Sequence, residues 1–131
     1  MKAKTFGFDE FINSLGKLKD DFDKRSTSLL EETADLAVTE AQLRTPVGVG
    51  TPNPGNLRRS LARGQVENYQ IEVGFGKEAP YAQYVEEGHR VGKNGFVLGR
   101  FMLRDATTIA ERRFKKQAEQ LFKDMMEGFK I

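Results

Sequence analysis

Apolar residues recur at helical spacing at both ends of the chain and at strand spacing in a short stretch between them. Phe8, Phe11, Ile12, Leu15, Leu18 and Phe22 follow the i, i+3, i+4 rhythm of one helix face. The rhythm continues less cleanly through Leu29, Thr33, Leu36, Ala37 and Leu43. The spacing predicts one long helix over 9–44, or two with a break near Lys24–Thr27. Asp9 suits an N-cap, and Thr45-Pro46 marks the far end because the residue before Pro avoids the helical region. A second stripe, from Phe101 through Leu103, Ala106, Ile109, Ala110, Phe114, Ala118, Leu121, Phe122 and Met125, predicts a helix from Gly99 or Arg100 to about Gly128. Glu119 lies one turn from both Lys115 and Lys123, the spacing of exposed helix ion pairs. Between the helices, Tyr69, Ile71, Val73 and Phe75 alternate with Gln70, Glu72 and Gly74, the signature of a half-buried strand. Leu57–Arg63 reads as its partner strand or as a turn, with the hairpin bend near Gly64 or Glu67-Asn68.

Three further stretches are short. Pro46–Asn56 holds three Pro and three Gly in eleven residues and reads as a loop. No Lys-Ser/Thr follows its glycines and no strand precedes them, which excludes a phosphate-cradling loop. Pro80 can open a helix of barely two turns that carries Tyr81, Tyr84 and Val85 on one face and stops at Gly88. Gly92, Gly95 and Gly99 then make 88–99 a mobile basic loop. The fold class is α+β: one domain over 1–131, a small antiparallel sheet packed against long N- and C-terminal helices. A chain of 131 residues can bury roughly two-thirds of its unfolded surface.

Composition narrows the chemistry. No Cys is present, so disulfides, thiolate metal sites and cysteine nucleophiles are excluded. No apolar run approaches membrane-spanning length, and the N-terminus lacks a signal-peptide core. The expectation is a soluble chain that is not exported and has no membrane partner. His89, the only His, sits beside Glu86 and Glu87. A zinc site needs at least three protein ligands, so His89 reads as a hydrogen-bonding or interface residue. Ser60 with His89 lacks a nucleophile elbow. No enzyme activity, cofactor or metal is expected.

Net charge is only +2 but uneven. Residues 1–43 hold six basic and nine acidic residues, whereas 44–104 hold nine basic and five acidic. This asymmetry suits either ordinary solvated faces or copies that stack head to tail. Arg58, Arg59 and Arg63, Arg90 and Lys93, and Arg112, Arg113, Lys115 and Lys116 keep a nucleic-acid-binding module as the alternative function. No helix-turn-helix, zinc-finger or RNA-recognition signature supports it.

Three motifs in order resemble a known family. Thr45-Pro46-Val47, a spacer, then Gly55-Asn56-Leu57-Arg58-Arg59-Ser60 resembles "TPVDTGNLRRS". Tyr81-Ala82-Gln83-Tyr84-Val85-Glu86-Glu87-Gly88-His89-Arg90 resembles "YAxYVExGHR". Gly95-Phe96-Val97-Leu98-Gly99-Arg100-Phe101-Met102-Leu103 resembles "GxVPGRFML". These motifs are similar to those of the phage tail-completion, or head–tail joining, proteins typified by gene product ten of phage HK97, over about residues 30–128. The spacer 48–54 is longer than the family's, and Leu98 stands where Pro is frequent.

The resemblance implies a non-enzymatic virion protein of the neck or tail top, present in the host cytoplasm during assembly. It implies a ring of about six copies, since identical head-to-tail interfaces close into rings. Head-completion or connector proteins and tail-tube or tail-terminator proteins would be its neighbours, with DNA only as passing cargo. A neighbouring tail-terminator or head-completion role is the alternative within that class. Interface positions expected on this reading are Arg58, Arg59, Tyr81, Tyr84, Glu86, His89, Arg90, Arg100, Phe101 and Arg104. For the tyrosines, ordinary core packing is the competing expectation. Glu86→Ala with Arg104→Ala is expected to leave the subunit folded while blocking the joining of heads to tails.

Overall fold

The computed structural model describes Ala3, residues 7–48 and residues 54–129. Residues 49–53 of the predicted 46–56 loop lie outside the described residues. Two long helices, α1 (Asp9–Arg44) and α4 (Met102–Gly128), pack against each other and carry the fold. Helix α1 is continuous, without the predicted break near Lys24–Thr27. Its buried positions are mostly small: Ala34, Ala37 and Ala41, with Ala106 and Ala110 on α4. Side chains of that size allow close packing, so the central core is built on short contacts and only a few large residues.

Between the helices run α2 (Asn56–Ser60), β1 (Leu61–Arg63), β2 (Val73–Phe75), α3 (Ala82–Glu87), β3 (Gly88–Val91) and β4 (Gly95–Leu98). The predicted strand-or-turn at Leu57–Arg63 divides into one helical turn followed by a three-residue strand. The turn holds because the Ser60 hydroxyl donates to the Leu57 carbonyl at 2.7 Å, and both residues are buried. Strands β1 and β2 pair antiparallel, with Leu61 opposite Phe75 and Arg63 opposite Val73. Phe75 joins two core clusters, one with Leu57, Ala79, Ala82 and Met102, the other with Ala41, Leu61 and Ala106. Met102 is fully buried.

The strand predicted through Tyr69 is shorter than its alternation suggests. Glu67 and Gln70 bond to each other in both directions, at 2.9 and 3.0 Å, and close a two-residue turn. Its central residues, Asn68 and Tyr69, both have positive φ, 51° and 60°. This is the backbone of a hairpin turn whose twist matches its flanking strands. Tyr69 therefore leaves the Ile71–Phe75 face and turns to α1. There its hydroxyl donates to Asp23 at 2.6 Å, its ring lies 5.7 Å from that of Phe22, and Lys19 bonds Asp23 from one turn away.

The Tyr69 hydrogen bond, then that of Lys19, holds the Asp23 carboxyl below its ordinary range. The bond to Asp23 holds the Tyr69 hydroxyl above its own. Asp23 thus adds stability at pH values above the unfolded carboxylate pKa, and that share is lost as pH falls through the depressed value. Tyr69 adds stability below the ordinary tyrosine value, lost as pH rises through the raised one. Tyr69→Phe is expected to lower the thermal midpoint near neutral pH and to flatten both limbs of its pH profile. A profile parallel to the unsubstituted chain would show that the contact does not contribute.

The predicted antiparallel sheet against the long helices is present as β1 and β2, and the structure adds a second ribbon. Strands β1 and β2 lie on α1, whereas β3 and β4 form a separate two-stranded ribbon with Gly88 opposite Leu98 and Val91 opposite Gly95. The segment read as a mobile loop is therefore a hairpin. Its glycines occupy the bend and the two ends, and Val91, Phe96, Val97 and Leu98 supply strand-forming side chains between them.

Candidate functional site

Helix α3, the β3–β4 hairpin and the start of α4 meet at one joint, and Glu86 holds it together. The Arg100 amide donates to the Val85 carbonyl at 2.9 Å, and the Phe101 amide to the Glu86 carbonyl at 3.0 Å. The Glu86 carboxylate then accepts from the Leu103 amide at 2.8 Å and the Arg104 amide at 3.1 Å. A helix begins with N–H groups that have no partner in their own turn. No side chain at the N-cap position serves them in α4. Glu86 does so from 17 positions upstream, with a negative charge at the positive end of the helix dipole.

Phe101 lies immediately before α4 in the left-handed region, at φ 47°. A bulky residue there costs about 1–2 kcal/mol. The Arg104 guanidinium stacks 3.9 Å from the Phe101 ring centroid and offsets part of that cost. Gly88 (φ 88°) turns the chain from α3 into β3, and Gly99 ends β4 directly against the backbone of Glu86 and Glu87. The hairpin is thus anchored at both roots, while its length stands free. All four residues of β4 are exposed, as are His89, Arg90 and Val91 of β3.

The expected interface residues divide into two groups. Tyr84, Glu86, His89, Arg100, Phe101 and Arg104 come together at this joint, and Arg90 lies on the exposed ribbon opposite Phe96. Tyr84 and His89 stack edge to face, with ring centroids 6.1 Å apart. Tyr81 begins α3 and is 42% exposed, and Tyr84 is 59% exposed, so neither is packed into the core. Arg58 and Arg59 serve loop carbonyls elsewhere. Arg58 donates to the Thr45 carbonyl at 2.8 Å, at the end of α1, and Arg59 to that of Pro54 at 3.0 Å. Glu86 spends its carboxylate on α4, although its side chain remains near the surface.

Sequence reasoning missed the apolar side chains of the hairpin. Phe96, Val97 and Leu98 were read as part of a loop, and Leu98 is 81% exposed. A run of three apolar residues, Phe96 to Leu98, between Gly95 and Gly99 is the available signal. From Gly88 to Arg104 the chain holds Arg90, Lys93, Arg100 and Arg104 and no acid. The ribbon therefore presents aromatic and aliphatic side chains beside basic ones, the composition of a docking surface. Among the described residues no three His, Asp or Glu side chains group to hold a metal ion, and no helix is long and apolar enough to cross a membrane.

A family model described as "Bacteriophage HK97-gp10, putative tail-component" matches residues 9–88, well over half of the chain. The chain belongs to the HK97-gp10-like family. That family is one of phage tail components, a structural class. The match ends at Gly88 and so includes α1, the β1–β2 hairpin and α3, while the β3–β4 ribbon and α4 follow it. Neither curated proteins nor solved structures gave a match.

Proposed function

We propose that this chain is a non-enzymatic virion component that closes as a ring of about six copies at the head–tail junction and completes or joins the tail. Its partners on this reading are other copies of itself, the head-completion or connector proteins above, and the tail-tube or tail-terminator proteins below. DNA passes through without being a specific ligand. The observation that carries the reading is the free β3–β4 hairpin. A two-stranded ribbon is marginal on its own in water, and unpaired strand edges invite pairing. An exposed, uncharged β4 rooted in a rigid joint suits a protein whose folding is completed by assembly. Membership of a phage tail-component family supports the same reading.

Quantitative mass spectrometry of purified particles tests it by counting this chain against the portal protein. The expected result is about half as many copies as a twelve-fold portal, as a six-fold ring requires. Copies in the hundreds would make the chain a tube or capsid component, and absence from particles would defeat the assignment.

A further inference from the structure

Among the described residues, two apolar surfaces stay largely exposed. One is the β3–β4 ribbon, with Val91, Phe96, Val97 and Leu98. The other runs from Phe8, just before α1, along the first half of that helix, where Ile12, Leu15 and Phe22 lie at spacings that put them on one face, with Tyr69 stacked only on the Phe22 end. The ribbon cannot reach that face in its own subunit. It is rooted at the start of α4, which packs on Ala41 through Ala106. From Ala41 back to Leu15 helix α1 runs about 39 Å, and a four-residue ribbon spans about 13 Å.

Charge distinguishes the possible pairings. Two ribbons repel, since residues 88–98 carry Arg90 and Lys93 and no acid. The early part of α1 attracts them: residues 9–23 hold Asp9, Glu10, Asp20, Asp21 and Asp23 against Lys17 and Lys19. Gly16 adds an independent observation. It lies one turn from both Ile12 and Asp20, and a Cβ there would meet nothing within 4 Å. Glycine weakens a helix interior, and nothing in the subunit requires it at this position. A strand edge arriving from outside would need that space.

We propose that the β3–β4 ribbon of one copy seats on the Phe8–Phe22 face of α1 in the next copy, with the β4 edge over Gly16. This rests on the ring reading above and names its contact as heterologous, one end of each subunit on the other end of its neighbour.

The test uses the absence of native cysteine. Ile12 and Val97 are both exposed, so full-length Ile12→Cys/Val97→Cys keeps the core intact. A disulfide forms only where the two Cα atoms approach within about 7 Å. Oxidised particles are expected to give a ladder of dimers and larger species on a non-reducing gel, with neither single variant doing so. Dimers from Val97→Cys alone would mean ribbon-on-ribbon contact and overturn the proposal. The double variant present at full copy number without a ladder would overturn it while leaving the ring reading intact. Should the chain be absent from particles, the ring reading fails by itself. Oxidation of the concentrated purified protein then decides the contact, a ladder supporting it and a monomer overturning it. As a second measurement, Gly16→Gln is expected to raise the thermal midpoint of the free chain by about 3 °C and to cut its incorporation into particles by about tenfold or more. A raised midpoint with unchanged incorporation would overturn the proposal.

Discussion

Gly88→Ala is expected to leave the chain poorly folded, at a cost of about 3 kcal/mol or more. Two terms add at this position. The backbone is left-handed, at φ 88°, a conformation that costs an L side chain about 1–2 kcal/mol. A Cβ would also meet the Val97 carbonyl and come within 2.7 Å of the Gly99 amide nitrogen. Those are backbone atoms of the paired strand and cannot rotate away, so overpacking adds about 1–3 kcal/mol. Against a total stability of about 5–15 kcal/mol that is a large share. Gly99→Ala meets a similar obstacle, with the Glu87 Cα 2.8 Å from the new atom. Gly92, at the ribbon's bend, is the control: its φ is 64°, but a Cβ there meets nothing within 4 Å. Gly92→Ala should cost only about 1–2 kcal/mol. Urea titration of the three variants checks this, and equal midpoints for Gly88→Ala and Gly92→Ala would show that close approach at the joint is unimportant.

The second large effect is expected at Glu86. Glu86→Ala removes both acceptors from the first turn of α4 and a negative charge from its positive end. Losses at comparable helix caps are about 1–2 kcal/mol. Glu86→Gln keeps one carbonyl acceptor and should fall between the two. Arg104→Ala removes a largely exposed guanidinium that stacks on Phe101 and bonds Asp105 at 3.2 Å, and should cost about 0.5–1 kcal/mol. The structure thus adds a stability cost to the expectation that Glu86→Ala with Arg104→Ala leaves the subunit folded. A joining defect in that double variant would mix lost stability with lost contact. Chemical denaturation of the single variants separates them. Glu86→Ala as stable as Arg104→Ala would show that the carboxylate does not cap α4.

The same joint explains why the site was only half legible in the sequence. A helix cap is usually sought within three or four residues of the helix start, and Phe101 offers none. Glu86 supplies it through a turn that exists only once α3 and the ribbon have formed. For Arg58 and Arg59, adjacent arginines beside a loop give no sign of which carbonyls lie within reach. Folding brings the end of α1 to Arg58, whose guanidinium donates to the Thr45 carbonyl there.

What the chain's sequence determined by itself was everything governed by local period and punctuation. The 3.6-residue stripes specified α1 and α4, Thr45-Pro46 ended the first, and Gly88 stopped α3. Three ordered motifs carried the resemblance to the phage family to which the chain belongs. Tertiary structure decided whatever depends on pairing at a distance. Tyr69 matched a strand face, yet two left-handed turn residues send it to Asp23. Residues 88–99 read as a loop because glycine lowers strand propensity, and a strand is made by its partner. Only the antiparallel register of Gly88 with Leu98, held where Gly99 meets Glu86, turns that stretch into a ribbon standing free of the core.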